Sequence, residues 1–180
     1  MVAVVSDAGP LIHLSQIGKL LLLKRLFSVV YVTEKVKVEV FDEGVRLGYA
    51  DAETVGKGLA DGWLRVEPFP ENLIESAVKL AEGENISLSD AETLMLAVDK
   101  KAELLVDDKL IFDLAKMYRL KVWDTWTLLL ESLSKDYLEL SEIKSAIDKL
   151  DKMRFRLNAN QAQEILDAAN SIERHKKDAK

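Results

Sequence analysis

Five short apolar runs, each bounded by charge or by glycine and proline, alternate along this chain with stretches whose leucines and alanines recur at helical spacing. Val2–Ser6 is a continuous apolar run that ends on Asp7 and predicts a buried strand. Gly9 and Pro10 break it, and two helical stretches follow over residues 11–16 and 19–27. Residues 29–32 predict a second short strand. Thr33 stands as N-cap, with Glu34 in the first turn, for a helix reaching about residue 42. A polar middle section dotted with glycines predicts a short helix over 50–59, then an extended piece over 63–66 that Pro68 and Pro70 end. Residues 73–81 predict a helix closed by Glu82, Gly83, Glu84 and Asn85. Ser89 is the expected cap of the next helix, over 90–101, with Leu94, Ala97 and Val98 on one face. Residues 103–106 predict a strand ending in Asp107 and Asp108. A helix over 111–118, a last strand over 120–123 and helices over 125–133 and 139–150 complete the alternation. Asn158 and Gln161 form a capping box that opens a final helix to about residue 173, and the tail from Arg174 is basic.

Strands alternating with helices predict an α/β sandwich with a mainly parallel sheet, organised as one domain. The 180 residues, 48% hydrophobic and 31% charged, suffice for a single buried core and exclude wholesale disorder. With no cysteine, disulfides, thiolate catalysis and zinc–sulfur sites are excluded. His13 and His175 lie far apart in sequence, which argues against a histidine zinc site. Any metal chemistry must therefore use oxygen ligands. The opening residues lack a positive n-region, and the apolar run 20–23 between Lys19 and Lys24 is too short to span a bilayer. The expectation is a cytoplasmic protein with no membrane partner.

Candidate chemistry comes from the acids. Two strands finish on aspartates, and in parallel sheets ligands bind outside the carboxyl ends of the strands. Asp7 and Asp108 share that edge if their strands are parallel neighbours, and a right-handed crossover brings the first turn of the helix carrying Asp90 to the same edge. Glu39 lies on a helix whose apolar stripe includes Val36 and Val40, so it borders the buried face. Each acid alone has an ordinary account. Asp7 can cap the following helix, Glu39 is one acid among Glu34, Asp42 and Glu43, and Asp90 can answer a helix dipole. Two acids at a strand end are harder to explain. Four carboxylates in one cleft repel one another unless they bind metal or hold protons, and hard divalent cations favour a few carboxylates plus water. A net charge of −6 argues against a nucleic-acid partner, but a bound cation reverses the local field.

The order of these motifs resembles the PIN-domain family. Its opening signature stands here as Val4-Val5-Ser6-Asp7-Ala8-Gly9-Pro10-Leu11-Ile12. The second acid resembles Glu39 within Val36-Lys37-Val38-Glu39-Val40, and Asp90-Ala91 through Glu103-Leu104-Leu105-Val106-Asp107-Asp108 is similar to the third and fourth signatures. The resemblance covers about residues 2–128. Residues 153–157, leading into the last helix, resemble a C-terminal extension of one branch of the family. It implies a PIN-like three-layer α/β/α sandwich, with a nuclease domain over 1–133 and a helical extension over 134–180 packed on it. The implied activity is Mg²⁺- or Mn²⁺-dependent endoribonuclease cleavage of single-stranded RNA. Asp7, Glu39, Asp90 and Asp108 are carried over as catalytic and metal-site residues, with Asp107 as an alternative for the fourth place, Glu92 lining the cleft, and Asp113 and Asp124 as outer candidates. That branch often has glutamate after glycine at the third position, where this chain has Asp90 after Ser89. The resemblance also implies the toxin half of a toxin–antitoxin pair, with an antitoxin protein as partner and a homodimeric state.

Residues placed to track an RNA backbone are Lys109, Lys116, Arg119 and Lys121, or Arg154 and Arg156. Trp123 and Trp126 flank Asp124 and suit either core packing or base stacking. A receiver domain would need paired acids after its first strand, and a haloacid-type phosphatase would need a second aspartate where this chain has Gly9. Both are disfavoured. The remaining alternative is a catalytically inactive PIN-like scaffold that binds a partner protein or RNA without cutting.

Overall fold

The structure, a computed structural model, describes residues 2–48, 50–153, 155 and 157–178, with nothing described of the side chains of Ala50 and Asp51. Five strands form one sheet: β1 (Val2–Ser6), β2 (Phe27–Val32), β3 (Leu64–Val66), β4 (Glu103–Leu105) and β5 (Val122–Trp123). The order is β3-β2-β1-β4-β5 and every pairing is parallel. Parallel strands need crossovers, and the chain supplies them as helices. These are α1 (Ala8–Gln16) and α2 (Leu21–Leu26) after β1, and α3 (Glu34–Lys37), α4 (Glu43–Leu47) and α5 (Ala50–Ala60) after β2. After β3 come α6 (Ile74–Glu84) and α7 (Leu88–Lys100), and α8 (Lys109–Met117) joins β4 to β5. Helix α7 packs on β1 and β4, α2 on β2, α5 on β3 and α8 on β5, with α6 lying on α7. Val4 and Val5 of β1, Leu104 and Leu105 of β4, and Leu94, Leu96 and Ala97 of α7 are fully buried. That is the all-apolar strand interior expected of a sheet covered on both faces.

The chain divides into two compact units, Met1–Asp124 and Thr125–Lys180. In the second unit, α9 (Thr125–Ser134), α10 (Leu140–Lys152) and α11 (Ala159–Asp178) pack on one another. The expected capping box opens α11, with Asn158 N–H donating to Gln161 Oε1 at 3.0 Å and Gln161 N–H to Asn158 Oδ1 at 2.9 Å. No described helix is long and apolar enough to cross a membrane.

Several expected element starts shift: the helix expected from residue 11 begins at Ala8 and includes Gly9 and Pro10, the strand expected from 29 begins at Phe27, the strand expected from 120 begins at Val122, and two helix starts move with their caps. Helix α7 is capped by Ser87, not Ser89: Asp90 N–H donates to Ser87 Oγ at 3.0 Å and Ser87 N–H to Asp90 Oδ2 at 3.2 Å. Ser89 falls inside the helix, where its hydroxyl is buried without a partner among the described residues. The helix over 111–118 begins earlier, at Lys109, because Asp108 caps it. Between α3 and α4 the predicted helix does continue, but through a π turn over Val38–Asp42.

The glycines of the middle section serve close packing more than loops. A Cβ on Gly44 would stand 2.7 Å from Ala52 Cβ, and one on Gly56 would stand 2.6 Å from the Phe41 ring. Helix α5 can lie this near α4 and the π turn only because both positions lack side chains. The segment bearing Glu39 is thereby held from behind.

Candidate functional site

The strand order reverses direction between β1 and β4, and the crevice outside their carboxyl ends is the usual ligand position in such sheets. Ser6 pairs with Leu105, and Asp7 N–H donates to Leu105 O at 2.9 Å. Asp7 thus leaves β1 beside the end of β4. Its backbone is extended, at φ −75° and ψ 170°, in the N-cap position of α1, yet its carboxylate makes no capping hydrogen bond.

Electrostatics show which acids share the space. The Asp7 carboxyl is raised from 3.8 to about 6, first by burial and then by the negative fields of Asp90 and Glu39. The amides of Ala8 and Gly9 pull the other way and do not prevail. Glu39, on the π turn and more exposed, is raised as well, by partial burial and then by Asp90 and Glu43. Three elements, the end of β1, the π turn and the first turn of α7, therefore bring Asp7, Glu39 and Asp90 within electrostatic reach of one another.

The orientation of each acid has a local cause. Asp90 is the third residue of α7, and its Oδ2 is held by Ser87 N–H and by Ser87 Oγ at 2.7 Å. Glu39 sits in a π turn, whose wider coil inserts a residue into the helix and rotates the turn after it; such turns recur at functional sites. Thr33 caps this segment as expected, accepting from Val36 N–H at 3.2 Å. Lys35 on α3 donates to Oε1 of the buried Glu92 on α7 at 2.5 Å. That ion pair ties the helix leading to Glu39 to the helix bearing Asp90.

Asp107 and Asp108 part company. The Asp108 carboxylate is exposed and turned to its own helix, its Oδ1 accepting from Leu110 N–H at 2.8 Å and Ile111 N–H at 3.1 Å. The Asp107 side chain is only 7% exposed and meets His13 of α1, with Oδ2 2.6 Å from Nδ1. It also lies alongside Gly9, where an added Cβ would come within 3.8 Å of Oδ2. Of the two, Asp107 is the acid that borders α1, the helix that follows Asp7.

Among the described residues, no three histidine or acidic side chains stand close enough to hold a metal ion as they are. The donor set nonetheless suits a hard cation. It is all carboxylate oxygen, and the negative field of Asp90 raises the proton affinity of Asp7 and of Glu39.

The outer candidates are otherwise engaged or peripheral. Asp113 is exposed and pairs with Lys109. Lys116 lies 4.5 Å over the Phe112 ring and Lys121 lies 4.4 Å over the Trp123 ring. Trp123 makes a T-shaped contact with Phe27 at 5.8 Å and Trp126 stacks on Phe155 at 5.9 Å, the packing role that the sequence suits. Arg154 and Arg156 lie outside the described residues. Sequence reasoning passed over His13, Lys35 and the π turn. Gly9 and His13, four residues apart and therefore on one helical face, carried the only signal for the first.

A family profile described as PIN domain matches residues 3–171. The crystal structure of PAE2754 from Pyrobaculum aerophilum matches with a TM-score of 0.51 at 18% identity, over 72% of this chain and 88% of that one. At that identity the likeness is one of fold. No curated protein matches the sequence.

Proposed function

This chain belongs to the PIN-domain family, whose members are generally nucleases that typically use divalent metals, and on that premise we propose that it is a Mg²⁺- or Mn²⁺-dependent endoribonuclease acting on single-stranded RNA. The observation that carries the reading is the raised Asp7 carboxyl, lifted to about 6 by burial and by Asp90 and Glu39 at the switch point of the sheet. Acids that repel across a partly buried crevice have a chemical use when a cation arrives.

Asp7, Glu39, Asp90 and Asp107 would hold the cation, with Asp107 preferred to Asp108 because the latter caps α8. The chemistry such a cation supplies is activation of water for attack on phosphorus and neutralisation of charge on the phosphoryl group. The chain's own contributions are distinct. Asp7 retains its proton up to about pH 6 and anchors the edge at the end of β1. Ser87 fixes the Asp90 carboxylate, and the Lys35–Glu92 pair keeps the two acid-bearing helices in register. Hydrolysis adds water across one P–O bond and leaves a phosphate end and a hydroxyl end. The family setting supports a role as the toxin of a toxin–antitoxin pair, with an antitoxin protein as partner, a homodimeric state and a cytoplasmic location as parts of the same proposal. So is the arrangement of a nuclease region over 1–133 with 134–180 as its helical extension.

One observation favours a second reading, a PIN-like scaffold that binds without cutting: the acids are not already gathered at coordinating distances. Manganese-dependent cleavage of a mixed single-stranded RNA, wild type against Asp7→Asn, separates the two. Cleavage abolished by the substitution and by chelator supports the nuclease. A folded, manganese-binding wild type that cuts no RNA supports the scaffold.

A further inference from the structure

We infer that His13 is a positioning residue for the acidic edge: its imidazole clamps the Asp107 carboxylate and thereby sets the affinity of the edge for a divalent cation. The inference rests on the reading that Asp107 belongs to the metal site. Its geometric basis is the contact between Nδ1 and Oδ2 at 2.6 Å, made by residues 94 positions apart in sequence. A carboxylate accepts, so the tautomer that fits carries its proton on Nδ1.

Asp107 stands in the short segment between the end of β4 and the start of α8. Its neighbour Asp108 is fixed by two amides of α8, whereas Asp107 meets a side chain of a different element. That element is α1, which begins immediately after Asp7. Side chains on a helix lean toward its N-terminus, so the ring of His13 is carried back toward Gly9 and the crevice. A Cβ on Gly9 would already stand 3.8 Å from Asp107 Cβ and 3.9 Å from His13 Cε1, so a larger side chain there would press on the pair. One rigid helix thus fixes the acids on both sides of the switch point, Asp7 through its backbone and Asp107 through His13. Hydrogen bonds to a ligating carboxylate hold its rotamer, and removing such outer partners typically costs about 10–100-fold in metal affinity.

The experiment is Mn²⁺ titration followed by the electron paramagnetic resonance of free Mn²⁺, on full-length wild type, His13→Leu, His13→Asn, Asp107→Asn and the His13→Leu/Asp107→Asn double variant. Loss of affinity on the order of 10–100-fold in His13→Leu is expected. His13→Asn, whose amide places a donor near the position of Nδ1, should restore most of it. The double variant should bind no worse than Asp107→Asn alone, because His13 acts through that carboxylate. Wild-type affinity in His13→Leu, or a further loss in the double variant, overturns the inference. Should His13→Leu not fold, His13→Gln takes its place: its donor lies farther out, so it should lose the affinity that His13→Asn keeps, and equal binding by the two refutes the role. A wild type that binds Mn²⁺ yet cuts no RNA sinks the nuclease reading and leaves His13 in place. A wild type that binds no Mn²⁺ sinks both.

Discussion

In the C-terminal unit, Asp136 and Glu173 lie around the ammonium of Lys176, which also donates to Leu133 O at 3.0 Å. The Lys176 ammonium is held above its usual range, chiefly by the hydrogen bond to Asp136. Nearby, Glu142 is used to cap α10, accepting from Glu139 N–H at 2.8 Å. At the carboxyl edge of the sheet the influences on Asp7 are burial, two other acids and two amides, and the acids and burial win. One region answers its acids with a lysine and a backbone amide; in the other, Asp7 and Glu39 face a neighbouring acid, Asp90. A fold seldom keeps such opposition in a partly buried place without a use for it, and the proposed cation site would supply one.

The largest effect that sharpens this contrast is catalytic. Asp107→Asn should lower Mn²⁺-dependent RNA cleavage by at least about 100-fold. Asp108→Ala should cost about 1 kcal/mol of stability through the lost cap and leave most of the cleavage. Rates and urea midpoints for the two variants check both, and the reverse pattern would return the fourth place to Asp108.

Next is stability. Because Asp7 titrates near 6 in the folded chain and near 3.8 unfolded, the native state binds more protons between those values, and stability falls as pH rises through that window. Asp7→Asn removes the burden. Metal-free, it should be more stable than wild type by about 2–3 kcal/mol at pH 7.5 and indistinguishable from it below about pH 4. Saturating Mn²⁺ should close the gap from the wild-type side. A pH-independent difference in denaturant unfolding would mean that Asp7 does not feel its neighbours.

The smallest effect is expected in the other region. Lys176→Met should lower the melting temperature slightly, with no effect on Mn²⁺ binding. The contribution of Lys176 is complete at neutral pH and is lost only as pH climbs past the ordinary lysine range. A Lys176→Met variant that altered manganese affinity would break the separation between the regions.

The strands were legible because a doubly covered parallel sheet demands continuous apolar runs, and Val2–Ser6 and Glu103–Leu105 offer little else. Thr33 and the Asn158–Gln161 box were legible because caps are local in sequence. Ser87 is not the cap expected from the sequence, because an acid directly after Ser89 makes that serine look like the cap, although Ser87-Leu88-Ser89-Asp90 has capping-box spacing. The π turn left no sequence signal; the Phe41 ring within it packs against Gly56, a partner fifteen positions away. Asp107 and Asp108 could not be ranked from sequence. Neighbouring residues of an extended segment face opposite ways, and only the placement of α1 decides which faces His13.

The strand order has a consequence for the chain as it is being made. β1 precedes the other four strands of the sheet in the chain and is central, and β2 and β3, which follow it, lie on one side of it only. Its other side waits for β4, which comes some hundred residues later. Until then the crevice beside Asp7 has only one wall. A nascent chain halted before Glu103 can pair three strands and still lack the crevice. A chain so wired completes the crevice beside Asp7 only after β4 has been made.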